Sequence, residues 1–156
     1  MQDGGLKRYG FMGRSEHALD NKGRFNLPAR FRDQLTRNGD AALVVVPWFN
    51  CIRLYPLSEW DETVARIRGA GELNKKVHAT FKYIVSGANI YPLDKQGRLL
   101  LPQSSRGECS IGDEVVAAGM TTYVEIWDQK VWNDLKKPSK EDFAEVEDAF
   151  VELGIG

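Results

Sequence analysis

The sequence predicts an α+β fold, mainly β, built from one short module present twice and completed by short amphipathic helices. Three observations lead there: a ten-residue string recurs, apolar residues alternate with polar ones in short runs, and stretches of helical periodicity separate those runs.

The recurrence comes first because it organises the rest. Residues 19–28 read Leu-Asp-Asn-Lys-Gly-Arg-Phe-Asn-Leu-Pro, and residues 93–102 read Leu-Asp-Lys-Gln-Gly-Arg-Leu-Leu-Leu-Pro. Leu, Asp, Gly, Arg, Leu and Pro coincide at an offset of 74. Farther along, Leu54–Trp60 aligns with Ile126–Trp132 at an offset of 72. Two matches in the same order, at nearly equal spacing, make duplication a better explanation than chance.

Each copy then resolves into elements. Asp-x-x-Gly-Arg is turn chemistry: the Asp side chain accepts backbone N–H bonds, and Gly supplies the positive φ of a tight reversal. Phe25 and Leu27 alternate with Arg24 and Asn26, as in a half-buried strand; Leu99 and Leu101 do so less cleanly. Pro28 and Pro102 stand where a helix can begin. Phe31 and Leu35 give the first such helix an apolar stripe, whereas Gln103-Ser104-Ser105-Arg106-Gly107 is a poor helix former and predicts a shorter one. Hairpins are expected from Ala42–Val46 with Cys51–Tyr55, and from Val115–Ala118 with Tyr123–Trp127. Ser58 followed by Asp61 resembles a capping box for a helix lined by Trp60, Val64 and Ile67, and Asp128 is placed to cap the equivalent turn.

Between the copies, Gly69-Ala70-Gly71 is read as a break. Leu73, Val77, Thr80, Phe81 and Ile84 then recur at helical spacing, with Lys75, Lys76 and Lys82 as the solvated face. After Lys136-Lys137-Pro138, Phe143, Val146, Phe150 and Leu153 mark a terminal amphipathic helix, packed on its own chain or on a neighbouring subunit. The organisation is therefore an N-terminal extension (1–12), a first module (13–68), a linker helix (69–87), a second module (88–135) and a C-terminal helical tail (136–156).

Composition narrows the function classes. The net charge is −1, but residues 1–37 carry eight Lys/Arg against four acids, while residues 134–156 carry three against seven. A modestly basic body with an acidic tail is compatible with DNA without demanding it. Cys51 and Cys109 stand alone, so no disulfide framework or zinc site is expected, and Cys51 reads as a small buried hydrophobe. His17 and His78 lack partners for a metal site or a triad. There is no GxxxxGK[ST], GxSxG or HExxH. The expectation is a non-enzyme with no metal, no cofactor and no small-molecule substrate. With no apolar run of eighteen residues and no signal-peptide pattern at the start, a cytoplasmic protein without membrane contact is expected.

The ordered motifs carry a resemblance. Gly13-Arg14-Ser15-Glu16-His17-Ala18-Leu19-Asp20-Asn21-Lys22-Gly23-Arg24, followed by Leu27-Pro28-Ala29-Arg30-Phe31-Arg32, resembles the opening of the bacterial MraZ family. Leu54–Trp60, Leu93–Pro102 and Glu125–Asp128 extend the match, which covers roughly residues 11–135; Met1–Gly10 precedes the family's usual start. The resemblance implies tandem AbrB-like swapped-hairpin (double-psi-like) β modules. It also implies a transcriptional regulator that binds double-stranded DNA at promoter repeats of its own cell-wall and cell-division gene cluster. Such regulators form ring-shaped homo-oligomers and associate with the nucleoid.

Carried onto this chain, the Asp/Arg turn falls on Asp20 with Arg24 and on Asp94 with Arg98. Arg24, on a turn after Gly23, is suited to bridging phosphate oxygens or donating two bonds to a guanine edge. Lys22 adds a flexible cation for phosphate. In the second turn Arg98 follows Gly97, Gln96 replaces the lysine, and Lys95 lies one position earlier, so the first copy is expected to be the main reader. Arg14 and Arg30, with Arg32, are secondary candidates. Asp20, Gly23, Asp94 and Gly97 shape the turns. The plainer alternative is that Asp20 and Arg24 simply brace the hairpin, a surface pairing worth about 0–1 kcal/mol. Two other readings stand beside DNA recognition: an AbrB-type antitoxin holding a toxin through its C-terminal tail, and a ring-forming protein that never reads DNA.

Overall fold

The computed structural model describes residues 10–71 and 74–155. Most of the expected N-terminal extension, with Lys7 and Arg8, and the helix position Leu73 lie outside the described residues. The fold is α+β, with antiparallel strands and short helices.

Strands β1 (Arg14–Ala18), β2 (Arg24–Asn26), β3 (Ala42–Trp48) and β4 (Cys51–Pro56) come from the first copy. Strands β5 (Asn89–Pro92), β6 (Arg98–Leu100), β7 (Glu114–Gly119) and β8 (Val124–Asp128) come from the second. They do not segregate by copy. The main sheet runs β1-β7-β8-β4-β3-β5, so β1 pairs with β7 of the other copy and β5 pairs with β3. The remaining strands, β2 and β6, form their own ladder, with Phe25 opposite Leu99. These two residues are equivalent across the repeat, so an approximate twofold axis passes between them. The same axis passes between Arg53 and Glu125, which face each other where β4 meets β8.

The exchange of strands buries one shared core. Phe25, Leu27, Leu99 and Leu101, each at most 2% exposed, pack with Leu54 and Ile126 from the sheet. Helices α1 (Ala29–Asn38) and α4 (Gln103–Glu108) close this face. Both begin directly after a proline, and α4 is the shorter, six residues against ten, as its Ser- and Gly-rich sequence predicts. On the other face of β3 and β4, Val44, Val46 and Tyr55 pack with Trp60 and Ile84, which belong to α2 (Leu57–Gly71) and α3 (Lys75–Ser86). Helix α5 (Gln129–Asp134) lies against β7 and β8, its first turn capped by Asp128, whose Oδ2 accepts from the Val131 N–H at 3.2 Å.

Several local expectations change. β3 continues through Pro47 and Trp48, leaving Phe49, with φ +53°, and Asn50 in the hairpin turn. Ser58 does not cap α2: it lies inside the helix, and the carboxylate of Asp40 accepts from the Ser58 N–H (3.4 Å) and hydroxyl (3.2 Å). Gly69-Ala70-Gly71 is not itself a break: α2 runs through all three residues and ends at Gly71. Phe11 is 2% exposed and exchanges backbone hydrogen bonds with Thr121 at 2.8 Å, so it belongs to the fold although it precedes Gly13. The tail forms α6 (Lys140–Glu152), opened by a Ser139–Asp142 capping box. Every described residue of α6 is exposed, and among the described residues it makes no extensive contact with another helix or strand.

Candidate nucleic-acid interface

Two Asp-x-x-Gly-Arg turns build the site, and each is shaped by its own aspartate. Asp20 Oδ1 accepts from the backbone N–H of Lys22 and of Arg24, both at 2.9 Å. Its other oxygen, Oδ2, accepts from Arg24 Nε at 2.8 Å. The second turn repeats this set: Asp94 Oδ1 accepts from Gln96 and Arg98 N–H at 2.9 Å, and Oδ2 from Arg98 Nε at 2.7 Å. The backbone N–H of Arg24, with help from the side chain, holds the Asp20 carboxyl at about 2 instead of 3.8. The backbone N–H of Arg98 likewise leads in lowering Asp94. Both carboxylates therefore stay ionised at neutral pH and keep their arginines oriented.

The glycines explain how the turns sit together. Gly23 and Gly97 have φ of +85° and +77°, the region that L side chains rarely adopt. Each is also covered by an arginine of the opposite copy. A Cβ at Gly23 would lie 2.9 Å from a terminal nitrogen of Arg106, and one at Gly97 would lie 2.8 Å from Arg32 Cδ. Arg32 and Arg106 are equivalent across the repeat. The backbone ties the turns as well, since Gly97 O accepts from Leu27 N at 3.1 Å and Gly23 O from Leu101 N at 2.9 Å. Arg98 Nη1 lies 3.9 Å from Asp20 Oδ2, so a charge of one turn faces a carboxylate of the other.

The two turns thus form one composite edge. Lys22 and Lys95 are exposed on it, while Arg24 and Arg98 are half-buried. With Arg32 and Arg106, six cationic side chains accompany two carboxylates, and those carboxylates are committed to the turns. Such an edge can take anionic oxygens on the exposed Lys22 and Lys95, while Arg24 and Arg98 keep their Nε on the aspartates.

Not all candidates gather here. Arg14 opens β1, about 13 Å of strand rise from Ala18 at the end next to the first turn. Its guanidinium lies 5.9 Å from the Trp132 ring. Arg30 donates from Nε to Met12 O at 3.0 Å and lies over the Phe31 ring. Both are engaged with the N-terminal segment and α5 rather than with the turns. Arg106 is the residue that sequence reasoning passed over; the signal was present, because it stands 74 positions after Arg32.

Other chemistry is sparse. Cys51 and Cys109 are buried and free, and burial pushes the Cys51 thiol up to about 12, which keeps it protonated and unreactive. His17 contacts Ser15 Oγ at 2.8 Å, and burial lowers its pKa; His78 is exposed. Among the described residues no three His, Cys, Asp or Glu come together to hold a metal, and no helix is long and apolar enough to cross a membrane.

Comparison with known proteins places this arrangement. The family model described as "MraZ protein, putative antitoxin-like" matches residues 11–81 and again residues 84–153, so each match contains one turn. The chain is 34% identical over 145 residues to the transcriptional regulator MraZ of Desulfitobacterium hafniense strain Y51, covering 93% of this chain and 99% of the relative. The same name, identity and coverage apply to a protein of Clostridium acetobutylicum, and the one from Clostridium tetani is 31% identical over the same length. With both copies of the turn inside matches that span nearly the whole fold, the chain belongs to the MraZ family, whose curated relatives are transcriptional regulators.

Proposed function

We propose that this chain is a non-enzymatic transcriptional regulator that binds double-stranded DNA through the composite edge of its two turns. The observation that carries the reading is the fusion of both Asp-x-x-Gly-Arg turns across the β2–β6 ladder, each with its arginine held by its aspartate. Duplex DNA has local twofold symmetry, so a twofold pair of turns can address both strands at once. Lys22 and Lys95 supply phosphate contacts that position the protein, and Arg24 and Arg98 supply groups able to read a guanine edge.

The geometry of Arg24 and Arg98 is the same within 0.1 Å at the ion pair. The expected lead of the first copy then rests on Lys22 standing where the second has Gln96. Family resemblance supports the finer reading: promoter repeats of a cell-wall and cell-division gene cluster, ring-shaped homo-oligomers and a cytoplasmic, nucleoid-associated location. Repeated sites suit such an assembly because each further turn binds at high effective concentration.

The test is an affinity titration against a promoter-repeat duplex at several salt concentrations. Arg24→Ala should cost about 1–3 kcal/mol and relax sequence preference, while Lys22→Ala should weaken all duplexes alike and reduce the salt slope by about 1. Unchanged affinity in Arg24→Ala, with the oligomer intact, would sink the proposal. One observation favours a second reading, an antitoxin that holds a toxin through residues 136–156: α6 is wholly exposed with a row of apolar side chains. Recovery of a small toxin in a pull-down through that segment would favour it.

A further inference from the structure

Helix α6 is built to be covered. Phe143, Val146, Phe150 and Leu153 follow one another at three- and four-residue steps, which places them on one stripe. They are 57%, 40%, 40% and 73% exposed. A helix this short is marginal in water without packing. Its charge is also one-sided: Lys140 stands against Glu141, Asp142, Glu145, Glu147, Asp148 and Glu152.

The complementary surface lies elsewhere on the same molecule. Helix α3 carries Lys75, Lys76 and Lys82 and no acidic residue. Its solvent face groups Lys76, Ala79 and Tyr83 along one row, with Lys75 and Lys82 beside it, and all five are exposed. Tyr83 is 57% exposed, and Val85 and Ile90 add apolar surface. On neighbouring α2, Arg66 pairs with Glu62 at 3.7 Å and Arg68 lies 5.9 Å from the Phe81 ring, so the lysines of α3 carry the positive charge of this face.

Topology sets these two surfaces apart. The tail leaves from α5, whose Trp132 lies beside Arg14 of β1, one edge of the main sheet. Helix α3 leads directly into β5, which is the opposite edge.

We propose that α6 of one copy docks on the α3 face of a second copy, its apolar stripe over Tyr83 and its acidic residues toward the lysines. The two surfaces differ, so the contact is heterologous: a bound pair still offers a free α6 on one copy and a free α3 on the other. Such contacts propagate head to tail and close into a ring when the rotation allows. This deepens the assembly part of the function above and names the surfaces that drive it.

The experiment measures the mass of the full chain by light scattering and sedimentation at micromolar concentration, across a range of salt. The wild type should form a defined oligomer whose mass falls as salt rises, because opposite charges face each other. F143E/F150E should lose the oligomer while keeping the wild-type far- and near-ultraviolet circular dichroism, since neither side chain is part of the core. Lys75→Glu/Lys76→Glu/Lys82→Glu should lose it too, and adding Glu145→Lys/Glu147→Lys to that variant should restore it. An oligomer unchanged by F143E/F150E, a wild type that stays monomeric, or no rescue by the charge exchange would overturn the proposal. An α6 variant that bound a toxin differently but assembled normally would assign the helix to that partner instead. The DNA reading is scored separately: the dissociated F143E/F150E chain should still bind a single promoter repeat, with fewer copies per DNA.

Discussion

Gly97 sits at φ +77° with Arg32 of the other copy lying across it, and Gly23 repeats the arrangement with Arg106. A side chain at either position meets both a backbone penalty and a displaced arginine. Gly97→Ala should cost about 2 kcal/mol and lower the thermal midpoint by about 4–8 °C, as read by calorimetry. An unchanged midpoint would mean that the turn does not hold this conformation. The aspartates predict a pH effect with a definite sign. Asp20 titrates at about 2 in the folded chain against 3.8 unfolded, and Asp94 shifts the same way. The unfolded state therefore takes up these protons first as pH falls, and the stabilisation present above about pH 4 is lost on the way down to about pH 2. Asp20→Asn/Asp94→Asn should flatten that acid limb of the melting curve; a limb of unchanged steepness would contradict the assignment. The turn roles of Asp20, Gly23, Asp94 and Gly97 were legible because turn chemistry is local. Arg106 over Gly23 and Asp40 at the start of α2 were not, because each acts on residues far away in sequence.

At the scale of elements, the contact at the approximate twofold axis separates the copies. In a symmetric pairing of like copies, Arg53 would face another Arg53. Here it faces Glu125, with Arg53 Nε 3.6 Å from Glu125 Oε2, both side chains under 20% exposed. Arg53 is also held between the rings of Trp48 and Tyr123, at 3.9 and 4.4 Å, and donates to the Tyr55 hydroxyl at 3.0 Å. The pair therefore favours joining unlike copies and disfavours joining like ones. Glu125→Arg should cost about 3 kcal/mol by setting two largely buried cations together, and Arg53→Glu added to it should recover part of that loss in a double-mutant cycle. No recovery would show that the charges do not meet. Strand positions and the short α4 were readable from alternation and propensity. Which copy each strand pairs with was not, since an alternating pattern defines a face but names no partner.

At the scale of the molecule, the interleaved sheet makes the two copies one folding unit. Phe25 and Leu99 share a core, and β1 and β5 each complete the other copy's part of the sheet. Thermal unfolding of the F143E/F150E chain should thus show a single transition with coincident far- and near-ultraviolet signals; two separated transitions would mean independent modules. Functionally, the interleaving brings two turns that are 74 residues apart in sequence to one edge. The most direct test places a photo-crosslinking amino acid at position 22, at position 95 or at position 49, the last being the exposed tip of the β3–β4 hairpin. With a promoter-repeat duplex, positions 22 and 95 should both crosslink to DNA and position 49 should not. Crosslinking from position 49 alone, or from only one of the two turns, would contradict a composite DNA-binding edge.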